Sequence, residues 1–285
     1  MDNQLRILVT GVGGQLGYDV CLELKRRGME YLGTSSADMD ITDRKAVRKK
    51  MLEYHPDAVI HCAAYTAVDR AEEEPERAFA VNEQGTCNIA KVCKEIDAKL
   101  LYISTDYVFP GTGVKLYEID DPTGPVNVYG KSKLAGEQAV KETLENYFIV
   151  RTSWVFGGHG NNFVKTMLRL GQTQHTVQVV NDQIGSPTYT ADLAPLLCDM
   201  VRTEKYGIYH ATNEGYCSWA EFAGAVFQQA GQDVIVEGIS TTDYTAAKAI
   251  RPLNSRLSKQ SLGEAGFTPL PTWQDALERF VWEIQ

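Results

Sequence analysis

The stretch from Arg6 to Gly17 reads "RILVTGVGGQLG", a short β-branched run that stops abruptly on glycines. Gly11, Gly14 and Gly17 then stand three apart at a strand-to-helix turn. Glycine in such a turn lets the chain bend tightly, lets a phosphate approach the backbone and lets the next helix pack close to the strand. The free N–H groups at the helix start face an anion. An opening of this kind commits the chain to a β-α-β start, and so to a parallel sheet with helices on both faces. Asp38 and Asp40 follow roughly 20 residues on, where an acid that holds a ribose is expected. Gly11, Gly14, Gln15, Leu16, Gly17, Asp40 and Ile41 are therefore the first candidates for a dinucleotide site. A side chain at Gly11 is expected to fill the phosphate's space and leave the fold intact.

The rest of the first half keeps the same rhythm. β-branched runs at 6–10, 31–34, 57–63, 99–104 and 147–153 alternate with amphipathic stretches at 15–28, 42–54, 76–96 and 129–145. Beyond about residue 155 the order loosens. Helices are expected at 161–172, 190–203, 218–231 and 273–284, with strands at 176–181 and 206–211. The fold class is α/β: a Rossmann-type doubly wound parallel sheet with a smaller C-terminal substrate-binding lobe. Residues 1–155 form the dinucleotide-binding part and 156–285 mainly the second lobe. The boundary is interleaved, because strands between 176 and 211 are expected to return to the first sheet.

A net charge of −9 argues against a general role on nucleic acid or on an anionic membrane, since both would repel the chain. No apolar run reaches the ~18–20 residues that span a bilayer. The apolar part of "RILVTG" is too short for a signal-peptide core, so a cytoplasmic location is expected. Cys21, Cys62, Cys87, Cys93, Cys198 and Cys217 show no metal-ligand spacing and read as small core residues in a reducing compartment.

"YGKSK" at 129–133 places Tyr129 and Lys133 one turn apart on a helix that follows a loop. A nearby ammonium favours the phenolate, so Lys133 is expected to lower the Tyr129 pKa toward neutral pH. With the G-x-x-G-x-x-G spacing and "STD" at 104–106 added, the pattern resembles the extended branch of the short-chain dehydrogenase/reductase superfamily. The resemblance implies a catalytic set of Thr105, Tyr129 and Lys133, with Ser104 close to the Thr105 position. In that family the lysine also holds the nicotinamide ribose, and the hydroxyl holds the substrate oxygen.

Longer stretches narrow the likeness: "AAYTAVDRAEEEP" (63–75), "STDYVFPGTG" (104–113), "NVYGKSKLAGE" (127–137), "RTSWVFGGHGNNFVKTMLRL" (151–170), "VNDQIGSPTYTADLA" (180–194) and "RPLNSRLS" (251–258). Together they resemble the dTDP-4-dehydrorhamnose reductase family over nearly the full chain. The likeness implies reduction of a 4-keto nucleotide sugar. Ala63, Ala64, Tyr65 and Asn82 would border the cofactor. Val68, Asp69, Thr105, Asp106, Tyr107, Trp154, Asn162 and Arg251 would border the substrate, with Arg256 an alternative partner for its diphosphate. Nucleotide-sugar 4,6-dehydratases carry Asp-Glu after the threonine; here Asp106 precedes Tyr107, which disfavours water elimination. Thr34, Ser35 and Ser36 could accept a 2′-phosphate with no arginine beside them, whereas Asp38 or Asp40 would hold a free ribose. NADPH is favoured, with NADH tolerated. Some family members pair through a metal-bridged seam of glutamates. Asp19 fixes no such site, so metal and homodimer stay open. The rival readings are an epimerase with tightly held NAD and a non-catalytic regulatory subunit.

Overall fold

The computed structural model describes residues 5–284; residues 1–4 and 285, at the outer ends of the two expected parts, lie outside the described residues. Its strands β1 (Ile7–Thr10), β2 (Tyr31–Thr34), β3 (Ala58–His61), β4 (Lys99–Thr105) and β5 (Tyr147–Thr152) join a sixth, Gly207–His210, in one sheet. All pairings in it are parallel, in the order sixth strand, β5, β4, β3, β1, β2. From β1 the chain steps outward to β2 and then returns past β1 to β3. At such a reversal the loops leaving the carboxyl ends diverge and open a crevice.

Every residue of β1 and β3 is buried, as a parallel strand covered on both faces requires. On one face α1 (Gln15–Arg26) and the helix Thr190–Met200 set Val20, Leu24, Leu193 and Leu197 against Ile7, Val9 and Ile60. On the other, α2 (Arg44–Tyr54) and the helices Thr86–Ile96 and Val128–Thr143 set Val47, Met51, Ile89 and Val140 against Leu8, Val59 and Leu100. Each such side chain contributes about 1.5–3 kcal/mol by leaving water. A third core, around Phe156, Phe222 and Phe280, lies under the helices Phe163–Leu170, Trp219–Gln229 and Trp273–Ile284.

Two expectations change. Of the strands between 176 and 211, Gly207–His210 joins the main sheet, but Thr176–Val180 pairs in parallel with Ile235–Ile239 instead. Its "TVQVV" leaves Thr176 and Gln178 exposed, and a strand inside the doubly covered sheet would bury them. The helix expected at 76–96 is three pieces, Pro75–Phe79, a π-helical turn Ala80–Gly85 and Thr86–Ile96. That widened turn carries the buried Asn82.

Beneath the crevice a buried polar chain links the sheet to these helices. The Ala63 N–H donates to Thr10 Oγ1 at 3.2 Å, and Thr10 Oγ1 lies 2.6 Å from His61 Nδ1. His61 Nε2 is 3.2 Å from Thr86 Oγ1, which donates to the Asn82 carbonyl at 2.7 Å. Because Thr86 spends its proton on Asn82, it accepts from Nε2–H, and Nδ1 accepts from Thr10. The ring is neutral. Burial, reinforced by the charge on Lys133, pushes its pKa down to about 3. Above about pH 6.5 this carries no penalty; as pH falls from there toward 3, the unfolded chain binds a proton that the folded chain refuses. We expect His61→Gln to remove up to ~1.4 kcal/mol per pH unit of that acid sensitivity. Melting temperatures of parent and variant between pH 6.5 and 4.5 that fall in parallel would contradict it.

Candidate functional site

A cleft of about 840 Å³ opens over the carboxyl ends of β1 to β5. Among the residues expected there, its walls include Gly11, Gly14, Gln15, Leu16, Gly17, Asp40, Ile41, Ala63, Ala64, Tyr65 and Val68. They also include Thr105, Asp106, Tyr107, Tyr129, Lys133, Trp154 and Asn162. Asn82, Asp69 and Arg251 are not among the lining residues.

The glycine loop divides its work differently from the expectation. Gly11 has φ +74°, and a Cβ there would sit 2.6 Å from the Ala63 backbone nitrogen. A Cβ on Gly17 would sit 2.3 Å from the Gly11 carbonyl oxygen. These two glycines are required by the protein's own close packing, so a side chain at Gly11 does not spare the fold. Gly13 lines the cleft, and a Cβ on it would meet nothing within 4 Å. The open space in this loop is therefore at Gly13.

Around β2, Ser35 donates its N–H and its hydroxyl to Asp38 Oδ2 at 2.9 and 2.6 Å. Asp40 Oδ1 accepts from Thr42 N and Oγ1 at 2.9 and 2.8 Å. Both carboxylates close their own turns, and only Asp40 reaches the cleft. Ser35 and Ser36 line it too, and so does Arg77, which the sequence reading did not single out. Its signal was weak: one cation among the acids of "EEEPER".

At the other end, Asn127 caps the helix Val128–Thr143 by accepting the Gly130 N–H at 2.8 Å. A Cβ on Gly130 would lie 2.3 Å from the Tyr107 carbonyl oxygen, so this helix start presses directly on the turn after β4. Thr105 Oγ1 donates to Asp106 Oδ1 at 2.9 Å and accepts the Tyr107 N–H at 3.2 Å. Lys133 is buried; its Nζ donates to the Ile103 carbonyl at 2.6 Å and lies 4.1 Å from the centre of the Tyr102 ring. Tyr107 and Tyr129 meet edge to face at 5.5 Å.

Here burial, not the lysine, decides the phenol. Desolvation raises the Tyr129 pKa, against a smaller lowering by the Thr105 hydroxyl, so the expected depression by Lys133 does not occur. Burial pushes Lys133 itself down to about 7, and the Glu137 carboxylate works against that fall. Burial also raises Asp106 to about 6. At neutral pH the cleft therefore presents a protonated phenol above a lysine near its titration point.

Asn82 does not face the cleft. Its side chain accepts from Tyr65 N at 2.8 Å and donates to Tyr65 O at 3.1 Å and Ser132 Oγ at 2.9 Å. It clamps the loop after β3 to the helix of Tyr129. Asp69 Oδ2 accepts from Arg251 at 2.6 Å, and Asp69 Oδ1 holds the N–H groups of Lys248 and Ala249. Arg251 also reaches the Tyr107 hydroxyl at 3.4 Å, whereas Arg256 turns to Asn254 Oδ1 at 2.9 Å. Asn162 caps the helix Phe163–Leu170 and donates to Gln15 Oε1 at 2.9 Å, tying the second lobe to the glycine loop. Trp154, at φ +49°, stacks on Trp219 with ring centres 3.7 Å apart. Among the described residues no group of three His, Cys, Asp or Glu gathers as a metal site.

Two substitutions separate phosphate cradle from packing. Gly13→Val should weaken nicotinamide dinucleotide binding at least ~10-fold with little change in melting temperature. Gly11→Ala should cost about 1–3 kcal/mol of stability. Unchanged affinity in Gly13→Val, measured by calorimetric titration, would remove the loop from the binding site.

The family model described as RmlD substrate binding domain matches residues 5–285. The spore coat polysaccharide biosynthesis protein SpsK of Bacillus subtilis is 42% identical, over 98% of this chain and 97% of its own. The dTDP-4-dehydrorhamnose reductase of Mycolicibacterium smegmatis is 46% identical, over 96% of this chain and 84% of its own. The crystal structure of the dTDP-4-dehydrorhamnose reductase from Bacillus anthracis in complex with NADP superposes with a TM-score of 0.95 at 45% identity, covering 98% of this chain and 99% of that one. Sequence, glycine loop and cleft agree with these matches along the whole chain, which belongs to the RmlD substrate-binding family, the family of the dTDP-4-dehydrorhamnose reductases.

Proposed function

We propose that this protein is an NADPH-dependent oxidoreductase that reduces the 4-keto group of dTDP-4-dehydro-L-rhamnose to give dTDP-L-rhamnose, a sugar donor for cell-surface polysaccharide. The observation that carries this reading is the gathering of Tyr129, Thr105 and Lys133 on the wall of one cleft. Reduction of a ketone needs an acid at the carbonyl oxygen, and a phenol held protonated is one.

The cofactor, when bound, supplies the hydride. Its pyrophosphate fits the open face at Gly13 and the N-terminus of α1, with Ser35, Ser36 and Arg77 on the wall beyond β2. Lys133 has two uncommitted N–H donors besides the one on Ile103, enough to hold ribose hydroxyls. Tyr129 gives its proton to the carbonyl oxygen, Thr105 turns its hydroxyl from Asp106 to that oxygen, and the ammonium of Lys133 stabilises the phenolate left behind. The C-terminal lobe adds Asn162, Trp219 and Arg251 to the substrate surface. Arg251, held at the Tyr107 hydroxyl by Asp69, is the diphosphate's partner, and the stacked Trp154 and Trp219 form an apolar wall.

Tyr107 stands where a dehydratase carries a glutamate, and burial pushes its phenol up to about 12. The raised-pKa carboxylic acid beside it is Asp106 alone, and elimination needs a base as well as an acid. Water elimination lacks its acid and base pair.

The deciding assay supplies dTDP-4-dehydro-L-rhamnose with NADPH and follows nicotinamide absorbance; reduction of dTDP-4-keto-6-deoxy-D-glucose alone would overturn the substrate assignment. Tyr129→Phe should lower turnover by roughly 100-fold or more while leaving NADPH affinity nearly unchanged. With dTDP-glucose and NAD the enzyme should give no 4-keto-6-deoxy sugar, and appearance of that product would restore the dehydratase reading.

A further inference from the structure

One turn beyond Lys133 on the same helix lies Glu137, which is fully buried. Its Oε1 accepts from Ser104 Oγ at 2.6 Å and from Arg151 Nε at 2.9 Å, and its Oε2 accepts from Arg151 Nη2 at 2.8 Å. Arg151, on β5, is also buried and sends Nη1 to the Ile119 carbonyl at 3.0 Å. Ser104 is the residue before Thr105. Lys133 and Arg151 thus lie buried on either side of the Glu137 position, one on its own helix and one on β5.

We propose that Glu137, fixed by Arg151 and Ser104, is a positioning residue that keeps Lys133 an ammonium beneath the Tyr129 hydroxyl. The proposal rests on the reading that Lys133 assists Tyr129. It adds a residue that touches neither substrate nor cofactor.

The surroundings of Lys133 leave this role to Glu137. From its own helix come Tyr129 and Glu137; from β4, the Tyr102 ring and the Ile103 carbonyl. From β3 and its loop come His61, neutral, and Cys62, whose thiol burial holds protonated. Arg151, on β5, bonds to Glu137 and is a like charge. Asp106, in the turn after β4, is engaged by Thr105. Glu137 is therefore the buried anion next to the lysine, and burial otherwise works toward a neutral amine. An amine cannot stabilise the phenolate that proton donation creates. Arg151, bonded to Glu137 through Nε and Nη2, carries the opposite charge, so the arginine and the glutamate act on Lys133 with opposite signs.

The test is the pH dependence of kcat at saturating NADPH and ketone substrate. In the parent the rate should fall as pH rises through the range where Lys133 loses its proton. Glu137→Gln removes the anion and should move that fall about 1–3 pH units lower. Arg151→Gln removes the like charge and should move it higher. The double variant Glu137→Gln/Arg151→Gln restores the net charge and should bring the fall back toward the parent's position. Simple loosening of the fold would lower turnover in all three without displacing the profile in opposite directions. If Glu137→Gln does not fold, the sign of the displacement in Arg151→Gln decides. Lys133→Met fixes the assignment. Retention of the same fall in that variant would sink the reading of Lys133 and this proposal together. A fall that disappears in Lys133→Met but stays in place in Glu137→Gln and Arg151→Gln would overturn this proposal alone.

Discussion

The bidentate pair between Glu137 and Arg151 is the interaction on which the site's geometry depends. It joins the helix of Tyr129 and Lys133 to β5, takes in Ser104 at the end of β4, and reaches the loop at Ile119. Both side chains are lost from water, and desolvating two charges costs several kcal/mol per ion before their attraction offsets it. A well-packed apolar pair would often serve stability as well. What an apolar pair lacks is direction. Three donors converge on one carboxylate, so the rotation of the helix about its axis is set, and with it the aim of Tyr129 one face further toward the cleft.

Close backbone approach does the same at the other contacts. The glycine loop is shut against Ala63, and the helix of Tyr129 starts against the Tyr107 carbonyl at Gly130. Asn82 then ties the loop after β3 to that helix through Tyr65 and Ser132, and Asn162 ties the second lobe to Gln15. Few of these atoms touch ligand. They bring loops from five strands to one rim, which the reversal of strand order between β2 and β3 leaves open.

Much of this was legible in the chain, for physical reasons. Parallel strands buried on both faces must be continuous apolar runs, so "ILV" and "AVI" announce β1 and β3. The order of glycine loop, strand-end hydroxyl and helical Tyr-x-x-x-Lys is local, and local patterns survive without the fold. Other features depend on what folding brings near. Asp69 and Arg251 are separated by 182 positions, and nothing beside either one announces the other. Asn82 reads as one polar residue in a helix until the π-helical turn places it under Tyr65. The exposure of Gln178, which keeps 176–180 out of the main sheet, was present in the alternation of "TVQVV" but outweighed by its β-branched residues.

The sign of the tyrosine's shift was the instructive failure. Four-residue spacing says that a phenol and an ammonium are neighbours; it says nothing of how much water either keeps. Burial disfavours both charges at once, raising Tyr129 and lowering Lys133. Proton donation changes the balance, because the phenolate then forms near the Lys133 ammonium, and the opposite charges stabilise each other. The phenolate therefore forms chiefly when the ketone takes the proton. This suits a reductase, which consumes one proton per turnover in one direction, better than an epimerase, whose tyrosine must first remove a proton from an alcohol and so needs its phenolate at rest.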